Sequence, residues 1–257
     1  MPDVAALLAA SLPGLVTPAV LTGGSGRLGT ELRQLLPSLI APSRSELDIT
    51  GSLELLSGLR PKLIVHAAAY TDVARAESER AECWSINVRG TRNVARAAAR
   101  LNARLVLIST DYVFEGAHGD YREDDPPGPV SNYYALSKLA AEETARGALP
   151  SARLLVVRTS FRGRKWPHPK AFSDLFTSQD YVDVIAPQVA LAICRAADIP
   201  HDTLHIASRR RSSLELARER SPGVLEASRA EAPVSLPRDI SLNTDRWRAL
   251  LAAWSAG

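Results

Sequence analysis

Residues 17–29, running from Thr17 through Val20, Leu21, Gly23, Gly26 and Leu28 to Gly29, restrict this chain more than any other stretch. A short apolar run enters three glycines spaced three apart, and Leu28, Leu32, Leu35 and Leu36 follow at helical intervals. Strand, glycine turn and helix together form the opening unit of a dinucleotide-binding fold. The first glycine permits the tight turn, the second lets a diphosphate approach the backbone, and the third lets the helix pack closely on the sheet. The free N–H groups of the first helical turn, on Gly26, Arg27 and Leu28, then face the anion at the positive end of the helix dipole.

The rest of the chain repeats strand and helix. Strands are expected at Leu39 to Ala41, Leu63 to His66, Leu105 to Ile108, Leu154 to Val157 and Thr203 to Ala207. Helices are expected from about Glu77 to Leu101, Asn132 to Arg146, Val184 to Ala197, Leu214 to Arg220 and Asp245 to Trp254. This alternation predicts an α/β fold, a Rossmann-type doubly wound parallel sheet with a small α/β substrate lobe at the C-terminus. Right-handed crossovers bring every strand C-terminus to one rim. The glycine turn, Ala67 to Ala69, Ser109-Thr110 and Thr159-Ser160 therefore converge there.

The organisation expected is an extension at 1–16, an NAD(P)-binding domain at 17–161 and a substrate lobe at 162–257, interleaved with the sheet edge. Residues 115–131 and 162–183 read as loop-rich, and a polar stretch carries Pro222, Pro233 and Pro237. Residues 1–15 are rich in Ala and Leu but carry Asp3 and no Lys or Arg, so they lack the basic start of a secretion signal. They read as an extra helix or a frayed extension.

Hydrophobic residues at 46% support a sizeable core, and a net charge of +3 is too mild to imply a nucleic-acid partner. No apolar run approaches the ~20 residues of a membrane span. The 2 cysteines, Cys83 and Cys194, fit reduced thiols in the cytoplasm and offer no metal spacing.

Tyr134 and Lys138 stand at i and i+4, so both project from one helix face. An unperturbed tyrosine titrates near ~10, and a neighbouring ammonium favours the phenolate and lowers that value. Thr110, at a strand end upstream, could reach the same substrate oxygen. A tyrosine and a threonine on a carbonyl oxygen, with a hydride donor beside them, make a carbonyl reductase. At the second-strand turn, NAD-preferring folds place an acid for the ribose hydroxyls. Here Ser43 and Arg44 offer a hydroxyl and a guanidinium suited to a phosphate, which predicts NADPH, with NADH as the alternative. Asp48, shortly after this turn, is assigned to the adenine side.

These motifs resemble the extended short-chain dehydrogenase/reductase superfamily, and within it the dTDP-4-dehydrorhamnose reductase-like branch. The resemblance is carried by Thr22 to Gly29, His66 to Val73 with Ala76-Glu77, Ile86 to Thr91, Ser109 to Phe114, Tyr134 to Lys138, and Arg158 to Phe161. It returns weakly at Leu236 to Asn243. It implies reduction of the 4-keto group of a nucleotide-activated 4-dehydro-6-deoxy sugar. Tyr134 would be the proton donor, Lys138 would lower its pKa and hold the ribose, and Thr110 would orient the carbonyl. Asn87 matches the family's helix asparagine, which supports a water near the lysine. Ile49, Ala68, Ala69 and Tyr70 would join the cofactor contacts, and Thr71, Val73, Asp111 and Phe161 would line the sugar site.

Phe161 departs from the family's usual tryptophan, keeping the stacking face and losing its N–H. The 162–183 region is shorter than its family counterpart. Tyr112 stands where sugar-nucleotide dehydratases carry a glutamate, which favours reduction over dehydration. Two rival readings stay open, a nucleotide-sugar epimerase and a non-catalytic nucleotide-binding regulator like the regulatory β subunit of methionine adenosyltransferase. Partners expected are the small-molecule substrate and a second copy in a homodimer, with no nucleic acid, membrane or metal.

Overall fold

The computed structural model describes residues 2–232 and 236–256, so Pro233 lies outside the described residues. Helix α1 (Val4–Ser11) is capped by Asp3, whose carboxylate accepts from the Ala5 and Ala6 N–H groups. Strand β1 (Ala19–Thr22) leads through the glycine turn into α2 (Arg27–Leu35), and α3 (Glu54–Leu59) precedes β2 (Leu63–His66). Helices α4 (Arg80–Trp84) and α5 (Thr91–Leu101) precede β3 (Arg104–Thr110), and α6 (Tyr133–Ala148) precedes β4 (Leu154–Thr159). Four short strands follow, β5 (Phe161–Arg162), β6 (Lys170–Phe172), β7 (Phe176–Thr177) and β8 (Asp180–Tyr181). Then come α7 (Val182–Cys194), β9 (Thr203–Ile206), β10 (Arg211–Ser212), α8 (Ser213–Arg220), β11 (Leu225–Ala227) and α9 (Asp245–Ala256).

The central sheet has the order β1-β2-β3-β4-β9 and every pairing is parallel. All residues of β1, β2, β4 and β9 are buried, which explains their nearly continuous apolar runs. One face is covered by α1, α2, α7 and α9 through Leu8, Leu32, Val189 and Trp247. The other is covered by α3, α5 and α6 through Leu56, Val94, Ala98 and Ala145. Small residues on α5 let that helix lie close to the sheet. Each leucine fully buried here contributes about 1.5–3 kcal/mol.

The strand expected at 39–41 is reduced to a single bridge, Val20 to Ile40. Two hydrogen bonds join it to β1, from Leu21 N to Ile40 O at 2.8 Å and from Ile40 N to Ala19 O at 2.9 Å. Pro42 has no N–H to extend the ladder. The chain still passes along the outer side of β1 before crossing back to β2. That reversal places the ligand crevice at the C-terminal ends of β1 and β2.

The single helix expected over 77–101 is three pieces, with a widened π turn at Ser85–Gly90 between α4 and α5. Such turns interrupt the regular 3.6-residue period and re-aim side chains. Residues 1–16 are not a frayed extension: Leu8 and Leu15 enter the main core, and α1 packs on α7. A boundary at residue 162 divides the chain by sequence and not by space, because α7, β9 and α9 belong to the main layers. The 162–183 segment carries four short strands where loop was expected. Trp166, Tyr181, Leu216 and Ala217 form a second, smaller core there.

Candidate active site

The glycine turn is held by contacts that no other residue would permit. Gly23 has φ +78°, and a Cβ there would lie 2.5 Å from the Ala68 nitrogen. A Cβ on Gly29 would lie 2.1 Å from the Gly23 carbonyl oxygen. The Gly26 N–H donates to that same oxygen at 3.0 Å, and Gly26 caps α2 with an extended backbone and no side chain. The first-turn N–H groups of α2 therefore face a cleft of about 690 Å³ lined by Gly23, Gly26, Arg27, Leu28 and Gly29. This is a cradle built for a phosphate, so the residues present fit a dinucleotide.

The walls of the cleft come from the ends of the parallel strands. Ala68 and Ala69 follow β2, Thr110 ends β3, and Phe161 follows β4; all line the cleft with Thr71, Val73, Tyr134 and Lys138. Thr22 and His66 tie the ends of β1 and β2 together at 2.7 Å, and His66 reaches the Thr91 hydroxyl at 3.1 Å. Burial drives the His66 imidazole down to about 3. It is therefore neutral, with both ring nitrogens engaged, and acts as a structural clasp.

Tyr134 and Lys138 come from the first turns of α6, which Asn132 caps by accepting from the Ala135 N–H at 2.8 Å. The Lys138 Nζ donates to the Ile108 carbonyl at 2.8 Å. Burial lowers the ammonium to about 8, and the Glu142 carboxylate opposes that fall. The Tyr134 phenol was expected to be lowered by Lys138. In the structure burial dominates and holds it above the ordinary tyrosine range, with the Thr110 hydroxyl beside it pulling the other way. Tyr134 is 9% exposed, and Tyr112 packs edge-on against it with ring centroids 6.1 Å apart.

Four residues assigned to the site by sequence do not line the cleft. Asn87 lies in the π turn. Its side chain accepts from Tyr70 N at 2.8 Å and donates to Tyr70 O at 3.1 Å and to Ser137 Oγ at 2.8 Å. The Ser137 hydroxyl donates in turn to the Tyr134 carbonyl at 2.7 Å. Asn87 is thus a brace for the turn that carries Tyr134. Tyr70 turns its phenol to the Glu79 carboxylate and offers the cleft nothing. Ser43 spends its hydroxyl on Glu46 at 2.8 Å, because that acid folds back on the turn, which leaves Arg44 to face the cleft.

Asp111 is the fourth. It is fully buried, accepts from the Thr110 hydroxyl at 3.0 Å, and leaves Oδ2 without a partner. Burial pushes its carboxyl up to about 6. It orients Thr110 and does not itself line the cleft. Asp48 and Ile49 do line it, Asp48 holding the Thr50 N–H at 2.8 Å.

Ser109 and Ser160, expected on the rim from their places after strands, do line the cleft, and so do Arg162, His168 and Gln179, which the sequence did not mark as site residues. Arg162 sits just beyond the end of β4, so the rim rule could have found it. His168 and Gln179 come from the loop-rich segment, where no pattern marks them. Gln179 donates to Ser160 Oγ at 3.0 Å and closes the second lobe onto the rim.

Comparisons with known proteins agree with this geometry. Residues 18–221 match the family model described as the RmlD substrate binding domain. The chain is 34% identical over 181 residues to the dTDP-4-dehydrorhamnose reductase of Aggregatibacter actinomycetemcomitans, covering 66% of this chain and 60% of that protein. It is 34% identical over 201 residues to the Sinorhizobium fredii protein of the same name, covering 75% of this chain and 67% of that protein. Its fold superposes with TM-score 0.79 and 28% identity on the dTDP-4-dehydrorhamnose reductase of Bacillus anthracis crystallised with NADP, covering 90% of this chain and 91% of that one. The matches span only 49% to 67% of the lengths of the curated reductases. Among the described residues no helix is long and apolar enough to cross a membrane.

Proposed function

The chain belongs to the RmlD substrate binding domain family, and from that premise we propose that it reduces the 4-keto group of a nucleotide-linked 4-dehydro-6-deoxy sugar at the expense of NADPH. One observation carries the reading. Thr110 at the end of β3 and Tyr134 and Lys138 on α6 line the same cleft as the glycine cradle.

The cofactor would lie with its diphosphate on Gly26, Arg27 and Leu28 and its adenosine end toward Arg44, Asp48 and Ile49. Bound there, NADPH supplies a hydride. Arg44 supports NADPH over NADH, because a guanidinium suits a 2′-phosphate where NAD-preferring folds keep an acid. The choice of dTDP as the carrier rests on the names of the relatives.

The chain's own residues then have defined work. Thr110 would turn its one hydroxyl proton from Asp111 to the substrate oxygen and so orient the carbonyl. Tyr134 gives that oxygen its proton; a phenol held above its ordinary range stays protonated until the alkoxide develops. Lys138 keeps a positive charge beside the tyrosine and the ribose. Asn87 and Ser137 hold the turn in register. The reaction needs no acid-base pair for dehydration, and Tyr112 in place of a glutamate supplies none.

The reading is tested by following NADPH absorbance with dTDP-4-dehydrorhamnose and related nucleotide-linked ketones. Oxidation of NADPH with stoichiometric formation of the alcohol supports it. Product without net consumption of NADPH points to an epimerase, and NADPH binding without turnover points to a regulator. The buried, unpaired Cys83 and Cys194 support a reducing compartment such as the cytoplasm.

A further inference from the structure

Arg162 stands in the cleft wall without an acidic partner. Its neighbours in the chain, Arg158 and Arg164, pair with Glu142 and Glu31. Among the described residues no carboxylate pairs with Arg162, and its Nε is buried with no hydrogen-bond partner. The side chain follows Phe161 on β5, which is held to β8 by the pairing of Arg162 with Tyr181. Its guanidinium lies 4.3 Å from the centre of the Trp166 ring, which fixes the plane of the fork. His168, on the same wall, is kept neutral by burial and by the charge of Arg162. A guanidinium drawn partly out of water with no carboxylate in ion-pair contact gains from a ligand anion.

We propose that Arg162 binds a diphosphate oxygen of the sugar nucleotide. The inference rests on the sugar-nucleotide reading above and adds a specificity residue to it. The surroundings of Arg162 place the anion on the substrate. Asp111 and Tyr112 are close enough for their charges to act on the guanidinium, and Tyr112 packs on Tyr134 with centroids 6.1 Å apart. Phe161, its neighbour in the chain, faces the same space. Arg27, at the start of α2, already serves the cofactor diphosphate. Its charge acts on Arg162 as well.

The test is calorimetric titration of the full-length, NADPH-saturated protein with dTDP, dTDP-glucose and dTDP-glucuronate. Arg162→Met is expected to weaken dTDP and dTDP-glucose binding by about tenfold to 100-fold, with Arg162→Lys recovering part of the loss. NADPH affinity is expected to stay at the wild-type value, which also reports that the variant is folded. An equal loss with all three ligands supports the diphosphate contact, and a loss confined to dTDP-glucuronate overturns it. Wild-type affinity of Arg162→Met for all three ligands overturns the proposal, as does a loss that falls on NADPH instead. A wild-type protein that binds NADPH and none of the three overturns the sugar-nucleotide reading itself, and this inference with it.

Discussion

Arg158 on β4 meets Glu142 on α6 through a fork of hydrogen bonds, the closest from Nη2 to Oε2 at 2.9 Å, with both side chains sealed from solvent. Ser109 at the end of β3 donates to the same carboxylate. One turn before Glu142, Lys138 donates to Ile108 O, next to Ser109. The helix that carries the tyrosine is thus fastened at two successive turns to the strand that carries Thr110. Glu142→Gln would leave the Arg158 guanidinium buried against a neutral group, at a cost of about 3–5 kcal/mol. A fall in melting temperature of about 10 °C is expected. The double variant Glu142→Gln/Arg158→Met should recover most of it. Chemical denaturation of the three proteins checks this, and a loss below about 1 kcal/mol would refute it.

Lys138 makes turnover sensitive to alkali. Burial lowers its ammonium to about 8, so the charge is present below that pH and lost above it. The rate with saturating NADPH is expected to fall as pH rises through about 8, well before an unperturbed lysine would titrate. Lys138→Arg, whose charge persists, should remove that limb whatever its effect on the maximal rate. A flat profile to pH 10 in the wild type would contradict the assignment.

Asp111 makes stability fall as pH rises. Its folded-state pKa is raised from 3.8 to about 6, so the folded protein binds the extra proton between those values and loses that advantage above them. The shift amounts to about 3 kcal/mol at neutral pH. Asp111→Asn keeps an acceptor for Thr110 and carries no charge. Its melting temperature should exceed that of the wild type at pH 7.5 and match it near pH 4. An equal difference at both values would refute the account.

In the proposed reading Arg44 separates the two nicotinamide cofactors. With Ser43 turned to Glu46, the discrimination falls on one guanidinium. Arg44→Ala should weaken NADPH by about tenfold and leave NADH unchanged, since a charge-assisted contact to phosphate contributes about 1.5–3 kcal/mol. Fluorescence titration with each cofactor decides it. An equal loss for both would move the preference elsewhere.

The glycine turn and the helical turn that carries Tyr134 and Lys138 were legible in the sequence because each depends on local spacing. Gly23, Gly26 and Gly29 answer steric demands within one turn, and Tyr134 and Lys138 are placed by the helical period alone. Asn87, Tyr70, Ser43 and Asp111 were also visible, but their partners were not. Whether a polar side chain faces a cleft or braces it is set by residues distant in sequence, such as Ser137 for Asn87. The π turn at Ser85–Gly90 has no signature in apolar periodicity, so three pieces read as one helix. In the sequence Arg162 opens a short basic run to Lys165, a pattern more often a solvated face than a binding site. Only the fold shows that Trp166 pins it inward while Arg164 reaches out to Glu31.

The central claim is that Tyr134 delivers the proton in a reaction driven by NADPH, and one substitution addresses it most directly. Tyr134→Phe removes a hydroxyl from a ring that stays packed against Tyr112. The measurement is the rate of NADPH oxidation with dTDP-4-dehydrorhamnose, beside NADPH affinity in the same preparation. The account predicts a loss of at least about 100-fold in rate with cofactor affinity unchanged. Turnover at the wild-type rate in Tyr134→Phe would contradict it.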